Sequence, residues 1–401
     1  MASGAQTARA RAPETHAVAA LAPAAGLSLL ALACGHFAVD CCTGVWPVFK
    51  TLAHLDLTRA GFIATAAGMA GNGLQIVFGV LADGGRRKAL LLCGVGLAGG
   101  VTLLPFAGSY PAMFALVLVT YVGSAAFHPS AAGAATAIAR VRTGLTIGLF
   151  MAGGYLGYAV SQVVFSSIFT AAAHLTPAIL ALPALAAGAI ASWVPAAPGG
   201  RRKAAGETWA ALRPHAARIA ALFAVQVFTT GINLSFIFLL PDLLQSRGAP
   251  GWMVQGGGHF ALVAGGCLSL LPAGHAADRW GARRVLVVAN VASLLLLFAL
   301  LSRHGASGLD LALVALFGGC NGMNNVVAVA EGNRTLPGRT SAASALLMGT
   351  PWCLAALGPS LAGLLANPAT GGTPTRALAW LSLAIPLSLA VSARVGPRTS
   401  R

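Results

Sequence analysis

GVLADGGRRK, residues 79–88, and AGHAADRWGARR, residues 273–284, put one device twice into the same chain: a long apolar run, an aspartate, and then a cluster of arginines and lysines. The spacing from Asp83 to Asp278 is repeated from Gly61 to Gly256, from Gly71 to Gly266, from Gly79 to Gly274 and from Gly123 to Gly318. In a chain with 50 glycines the glycine matches carry little weight alone. Two aspartate-basic loops, each following the second apolar run of its own half, indicate a duplication.

The medium around those runs follows from composition. Of 401 residues 57% are hydrophobic and 8% charged, and the mean hydropathy is +0.79. So few charges cannot cover a soluble protein of this size, and the chain reads as an integral membrane protein. An apolar run of about 20 residues crosses a bilayer as a helix. Twelve such runs are expected, at 26–49, 59–82, 89–107, 111–139, 143–170, 174–195, 216–240, 252–277, 285–302, 309–332, 340–366 and 376–394. The expected fold is therefore all-α: twelve transmembrane helices in two pseudo-symmetric halves of six.

The organisation follows: a tail at 1–25, a first half at 26–196, a linker at 197–215, a second half at 216–394 and a short tail at 395–401. No cleavage-like site follows a short apolar core, so the first run is expected to be an uncleaved helix and not a signal peptide. Related halves with a substrate cavity between them at mid-membrane are a transporter architecture.

A net charge of +16 and a pI near 10.9 would suggest nucleic acid if the basic residues formed one patch. They form short clusters in alternate loops instead, which predicts a cytoplasmic face and excludes nucleic acid as the partner. Of the 25 lysines and arginines only Lys50, Arg59, Arg247, Arg303 and Arg376 fall on the opposite side, so both termini are expected in the cytoplasm. The setting expected is a plasma membrane, in a bacterium the inner membrane. No Walker loop, nucleotide fold or hydrolytic motif is present, so neither ATP nor enzymatic chemistry is expected. The seven cysteines lie in apolar segments without metal-ligand spacing, so no metal and no cofactor is expected either.

Among nine acidic residues Asp40 and Glu331 are the two within apolar runs that need a reason, Asp310 standing at the second residue of the run that begins at 309. Asp40 ends GHFAVD, residues 35–40, which also carries His36. Positions i and i+4 share a helix face, so the two side chains stack about 6 Å apart near the middle of the first span. A charge at that depth costs about 3 kcal/mol or more unless it meets a partner or a watery cavity. One reading makes the pair a proton-binding site whose proton affinity changes as the cavity opens to either side. The other makes it a hydrogen bond that packs helices. Glu331 is expected to pair with Arg334 or Arg339, or to latch a gate. Tyr155 and Tyr158, among the glycines of GGYLGY, read as packing first and gating second.

The loop at 79–88 resembles the signature of the major facilitator superfamily, keeping Gly79, Leu81, Ala82, Asp83, Arg87 and Lys88 and departing at Gly84 and Arg86. The second copy keeps Asp278, Arg279, Gly281, Arg283 and Arg284. In that resemblance Gly79, Asp83, Arg87, Lys88, Asp278, Arg279, Arg283 and Arg284 form a conformational latch, an aspartate at a helix end pairing with arginines or a facing helix N-terminus. Positive-inside charge alone explains the arginines but not the aspartates. Three further stretches narrow the match: GHFAVDCCTGVWPVF in the first run, GSAAFHPSAAGAATAIAR in the fourth, and NNVVAVAEGNRTLPGRTSAASALLMG around the tenth and eleventh. Together they resemble the fosmidomycin-resistance family, which has His-x-x-x-Asp, Phe-His-Pro and a Glu before Leu-Pro-Gly; here these are His36 and Asp40, then Phe127-His128-Pro129, then Glu331 and Leu336-Pro337-Gly338.

The superfamily lines its cavity with helices 1, 4, 7 and 10, which implies a site from His36, Asp40, His128, Gln226, Asn233, Asn321 and Glu331. His128 precedes a proline that loosens its helix, so its ring is equally expected to satisfy a freed carbonyl. The function implied is proton-coupled export of a small molecule, anionic or amphipathic, by a monomer working through alternating access. Proton-coupled uptake of a sugar, organic acid or metal chelate fits the same motifs, which do not encode direction. A non-transporting membrane sensor or scaffold is the reading from another class.

Overall fold

The computed structural model describes residues 23–138, 143–196, 213–336 and 345–395, and no strand occurs among the described residues. The tails, most of the linker, the basic residues at 140, 142 and 201–203, and the Pro337-Gly338-Arg339 stretch lie outside them. Helices are numbered α1 Pro23–Thr43, α2 Trp46–Leu52, α3 Leu57–Leu81, α4 Arg87–Ala98, α5 Tyr110–Ile138, α6 Thr143–Ala172 and α7 Ala181–Trp193. After the linker come α8 Ala216–Ser246, α9 Gly258–Trp280, α10 Ala282–Leu301, α11 Gly308–Thr335, α12 Thr350–Ala355, α13 Gly358–Ala366, α14 Pro374–Leu381 and α15 Ala384–Ser392.

Among the described residues ten helical runs are long and apolar enough to cross a membrane. Two are too long for one crossing: Leu57–Phe106 has 50 residues and Thr146–Trp193 has 48. A straight helix of 50 residues would extend about 75 Å against a hydrocarbon core of about 30 Å. Each run breaks near its middle. Between α3 and α4 the chain turns at Gly85, φ 93°, in the left-handed region that glycine tolerates. Between α6 and α7 it leaves helical geometry at Ala172, φ −162° and ψ 93°, and continues in tight turns over Ala173–Leu180. Dividing both runs at these breaks is consistent with the twelve crossings expected. The second aspartate-basic loop also turns at a glycine of positive φ, Gly281, though with a different ψ: φ 88° and ψ 145° against φ 93° and ψ 2° at Gly85.

Two differences from the expected spans bear on function. The first crossing runs past Phe49 through α2 to Leu52, and α8 runs past Leu240 to Ser246. Lys50 and Asp242, which the sequence reads as loop charges, therefore lie inside helices.

The helices pack in two groups. α1 lies against α5, α6 and α7, and α5 also packs on α3 and α4. In the other group α9 lies against α11, α11 against α10, and α8 against α11 to α15. The glycines 195 residues apart both permit close helix approach, against different neighbours: a Cβ on Gly123 would sit 2.5 Å from the Ala98 nitrogen of α4, and one on Gly318 would sit 2.0 Å from the Leu262 oxygen of α9. Side chains such as Leu268, Leu271 and Phe298, more than 70% exposed, face outward where lipid would cover them.

Between the groups, α3 meets α12 and α13, α6 meets α9, and α2 meets α8. The bonds across this boundary run toward the end of the molecule that carries Lys50. Thr65 donates to the Ala356 carbonyl at 2.7 Å, Ser166 to the Gln255 carbonyl at 2.5 Å, and Asn367 to Thr58 at 2.7 Å. Lys50, fully buried, pairs with Asp242, hydrogen-bonds Thr51 at 3.0 Å and lies 4.5 Å from the centre of the Phe238 ring.

At the end carrying Asp83 the ion pairs shown stay within a group. Asp83 pairs with Arg87 of its own loop at 3.3 Å, and Asp278 pairs with Arg334. Glu331 meets Arg218 at 2.6 Å and Arg334 at 3.7 Å.

Candidate functional site

His36 and Asp40 stack on one face of α1 as their spacing requires, and His128 of α5 comes to the same carboxylate from the side. His36 Nε2 lies 3.3 Å from Asp40 Oδ2, and His128 Nε2 lies 3.2 Å from Asp40 Oδ1. Each imidazole is anchored through its other nitrogen: His36 Nδ1 donates to the Phe150 carbonyl at 2.9 Å and His128 Nδ1 to the Ser124 carbonyl at 2.8 Å. A carbonyl only accepts, so both Nδ1 atoms carry hydrogen and both Nε2 atoms turn to Asp40.

The packing holds this arrangement. The His36 ring stacks on Phe150 with centroids 4.3 Å apart and meets His128 edge-on at 5.0 Å. α6 can pass this close only because residue 154 is glycine, where a Cβ would lie 2.3 Å from His36 Nε2. His128 bonds the Ser124 carbonyl one turn back, not the Ala125 carbonyl that Pro129 leaves without its amide partner.

The site is dry on one side and reachable on the other: the His36 side chain is 4% exposed, Asp40 18% and His128 28%. The three donor atoms lie within 4.8 Å of one another, a grouping that could hold a metal ion as well as protons. With neutral rings and an ionised carboxylate, three electron pairs would face one another, so something positive must stand between them.

Beside the triad a cavity of about 130 Å³ opens between α6 of the first group and α8, α9, α11 and α12 of the second. Tyr155 and Tyr158 line one wall, and Asn233, Asn321, Asn325 and Trp352 line the other. These side chains are uncharged and offer hydrogen-bond donors and acceptors beside aromatic surface. The Trp352 Nε1 donor is buried with no protein partner, available to a molecule in the cavity. Tyr155 follows Gly154 directly, so the cavity wall continues into the backbone behind His36.

Of the expected site residues, Asn233 and Asn321 reach the cavity, while His36, Asp40 and His128 come together beside it. Gln226 is fully buried and donates to the Leu347 carbonyl at 3.0 Å, away from the cavity wall. Glu331 stands with Arg218 and Arg334 at the Asp83 end; the partner anticipated in Arg334 is there, and Arg339 lies outside the described residues. Among the latch residues, Asp83 with Arg87 and Asp278 with Arg334 are paired, and Lys88 donates to the Ala191 carbonyl at 2.8 Å. Gly79, Arg279, Arg283 and Arg284 lie on the same end without a bond that adds to the argument. Lys50 and Asp242 were not anticipated, nor were Tyr155, Tyr158 and Trp352 as cavity residues.

Two groups of membrane-crossing helices around an uncharged cavity, with bonds between the groups toward one end, define a polytopic membrane protein of transporter architecture. The sequence agrees over most of its length: residues 28–267 match the model of the Major Facilitator Superfamily, and the chain belongs to that family. A stretch of 127 residues is 28% identical to the uncharacterised MFS-type transporter YfnC of Bacillus subtilis (strain 168), covering 31% of each chain. The fold is similar to that of the nucleoside transporter NupG, with TM-score 0.70 and 18% identity over 92% of this chain and 98% of that one. A mutant form of NupG aligns with TM-score 0.75 and 16% identity, covering 92% and 100%. A bacterial homologue of the human lysosomal transporter Spinster, solved in an inward-facing and unoccupied conformation, aligns with TM-score 0.72 and 15% identity, covering 93% and 96%.

Proposed function

We propose that this chain is a secondary active transporter that exports a small molecule in exchange for protons by alternating access. The observation that carries this reading is the uncharged cavity between the two helix groups, closed toward the Lys50 end, with the ionisable His36–Asp40–His128 triad at its side. In this reading residues 26–196 and 216–394 are the two halves, 197–215 is the cytoplasmic linker, and both termini are cytoplasmic. The Lys50 end then faces outward and the arrangement is inward-facing. The setting is the plasma membrane, in a bacterium the inner membrane, and the working unit is a monomer.

Asp40 carries the coupled proton with the two histidines as partners, and the cavity binds substrate through Asn233 and Asn321. Gln226 and Glu331 act from behind the cavity, the first by holding the eleventh crossing, the second at the cytoplasmic gate. The Asp83 and Asp278 loops, with Gly79, Arg87, Lys88, Arg279, Arg283 and Arg284, set the balance between arrangements. Within the superfamily the HxxxD, Phe-His-Pro and Leu-Pro-Gly stretches support placement with the fosmidomycin-resistance transporters. The test is a compound panel in proteoliposomes carrying an imposed pH gradient, with internal pH recorded. At least one compound should move and discharge the gradient in step. Folded protein that moves none of the panel in either direction would count against transport.

A further inference from the structure

The three donors of the triad are arranged as ligands, and we propose that His36, Asp40 and His128 form a binding site for one divalent transition-metal ion of the zinc type. Metal-bound histidines characteristically donate their second ring nitrogen to a carbonyl or carboxylate, which fixes the tautomer and aims the free electron pair at the ion. Both rings do this: Nδ1 of His36 bonds the Phe150 carbonyl, Nδ1 of His128 bonds the Ser124 carbonyl, and both Nε2 atoms converge on Asp40.

The distances also fit. Ligand atoms about 2.0–2.1 Å from a tetrahedral zinc ion lie about 3.3–3.4 Å from one another. His36 Nε2 is 3.3 Å from Oδ2 and His128 Nε2 is 3.2 Å from Oδ1, the two oxygens of one carboxylate, and the whole group lies within 4.8 Å. An ion would draw the ligand atoms together by about an ångström at their widest separation.

Two imidazoles and one carboxylate select zinc, cobalt or nickel over calcium and magnesium, which prefer all-oxygen shells. Three protein ligands would leave a position open for water or substrate. Cys41 and Cys42, the next residues on α1, are buried and outside the group. The site is independent of whether the protein transports, because it is defined by binding to the protein itself. An ion there would occupy the groups that otherwise hold the coupled proton, so it would compete with protons and not with substrate in the cavity.

The experiment uses the full chain in detergent, with any affinity tag removed and metal stripped by a chelator, titrated with Co²⁺ and then Zn²⁺. Calorimetry should give one ion per chain, and Co²⁺ should develop the intense visible absorption of low-coordinate cobalt. His128→Ala and Asp40→Asn should each weaken binding at least tenfold, while His304→Ala, at an exposed histidine, should not. X-ray absorption of the zinc-loaded wild type covers the case in which a variant fails to fold: it should show a nitrogen/oxygen shell near 2.0–2.1 Å with the scattering of two imidazoles. No saturable binding, affinity unchanged in both folded variants, or a shell without imidazole would overturn the site. Substrate movement by protein that binds no zinc would refute the site alone and leave the transport reading standing.

Discussion

Substitution of Lys50 by methionine keeps an unbranched stem of similar length and removes the charge that holds the two groups together at their closed end. Lys50 is fully buried, and the Asp242 side chain is 13% exposed. Breaking a buried ion pair by removing one partner costs about 3–5 kcal/mol, because the other charge is left without compensation. Asp242 keeps the Thr51 hydroxyl at 2.9 Å and some water, which places the cost toward the low end, about 2–3 kcal/mol. Only the closed arrangement bears it, since opening this end hydrates Asp242. At about 1.4 kcal/mol per tenfold, Lys50→Met should shift the balance toward opening by roughly 30- to 150-fold. Asp242→Asn should shift it further by stranding the lysine. The double substitution Lys50→Met with Asp242→Leu should return to within about 1 kcal/mol of the parent, because neither charge is then buried alone. The assay is the labelling rate of Ile237→Cys, on the cavity wall, by a membrane-impermeant maleimide, in protein whose seven native cysteines are replaced. Equal labelling rates in parent and Lys50→Met would refute the idea that this pair holds the end closed.

Three further outcomes are expected. Asp83→Asn or Asp278→Asn should leave the protein folded with stability changed by less than about 1 kcal/mol, because both aspartates are largely exposed; the same labelling assay should show a shift between arrangements smaller than that of Lys50→Met, and no shift in either would count against the latch. Gly154→Ala should push the His36 ring off Asp40 and lower stability by about 1–3 kcal/mol, read by thermal unfolding, since its Cβ would meet Nε2 at 2.3 Å; unchanged stability would mean that α1 and α6 have more room than their packing shows. Single cysteines near Arg201 and near Asn367 should be labelled from opposite faces of the membrane; labelling from one face would refute an even number of crossings.

How far the sequence is legible depends on the range of the signal. Apolar runs between loops of punctuation needed only hydropathy, so the all-helical membrane fold could be read along the chain, though not the ends of each helix, and the i,i+4 rule placed His36 beside Asp40 without tertiary information. His128 came into view only through its Phe-His-Pro neighbourhood, because nothing in local spacing brings α5 to α1. Lys50 and Asp242 are 192 residues apart, and each stands just past the end of an apolar run, where charges are ordinary. Their union depends on α2 and the last turns of α8 extending further than hydropathy marks. Tyr155, Tyr158 and Trp352 were ambiguous for another reason: an aromatic ring in an apolar helix packs or lines a cavity equally well until its neighbours are known. Gln226 shows the converse, a polar residue on an expected cavity helix that turns instead to the Leu347 carbonyl.

The central claim, that Asp40 couples protons to substrate, is tested most directly by Asp40→Asn in proteoliposomes. Asparagine keeps the shape of the side chain and a hydrogen-bonding group between His36 and His128 but cannot ionise. The account predicts that the variant still exchanges substrate across the membrane at equilibrium, while losing accumulation driven by a pH gradient and the pH dependence that accompanies it. Gradient-driven accumulation by Asp40→Asn at the wild-type rate would contradict the account and move the coupling role to Glu331.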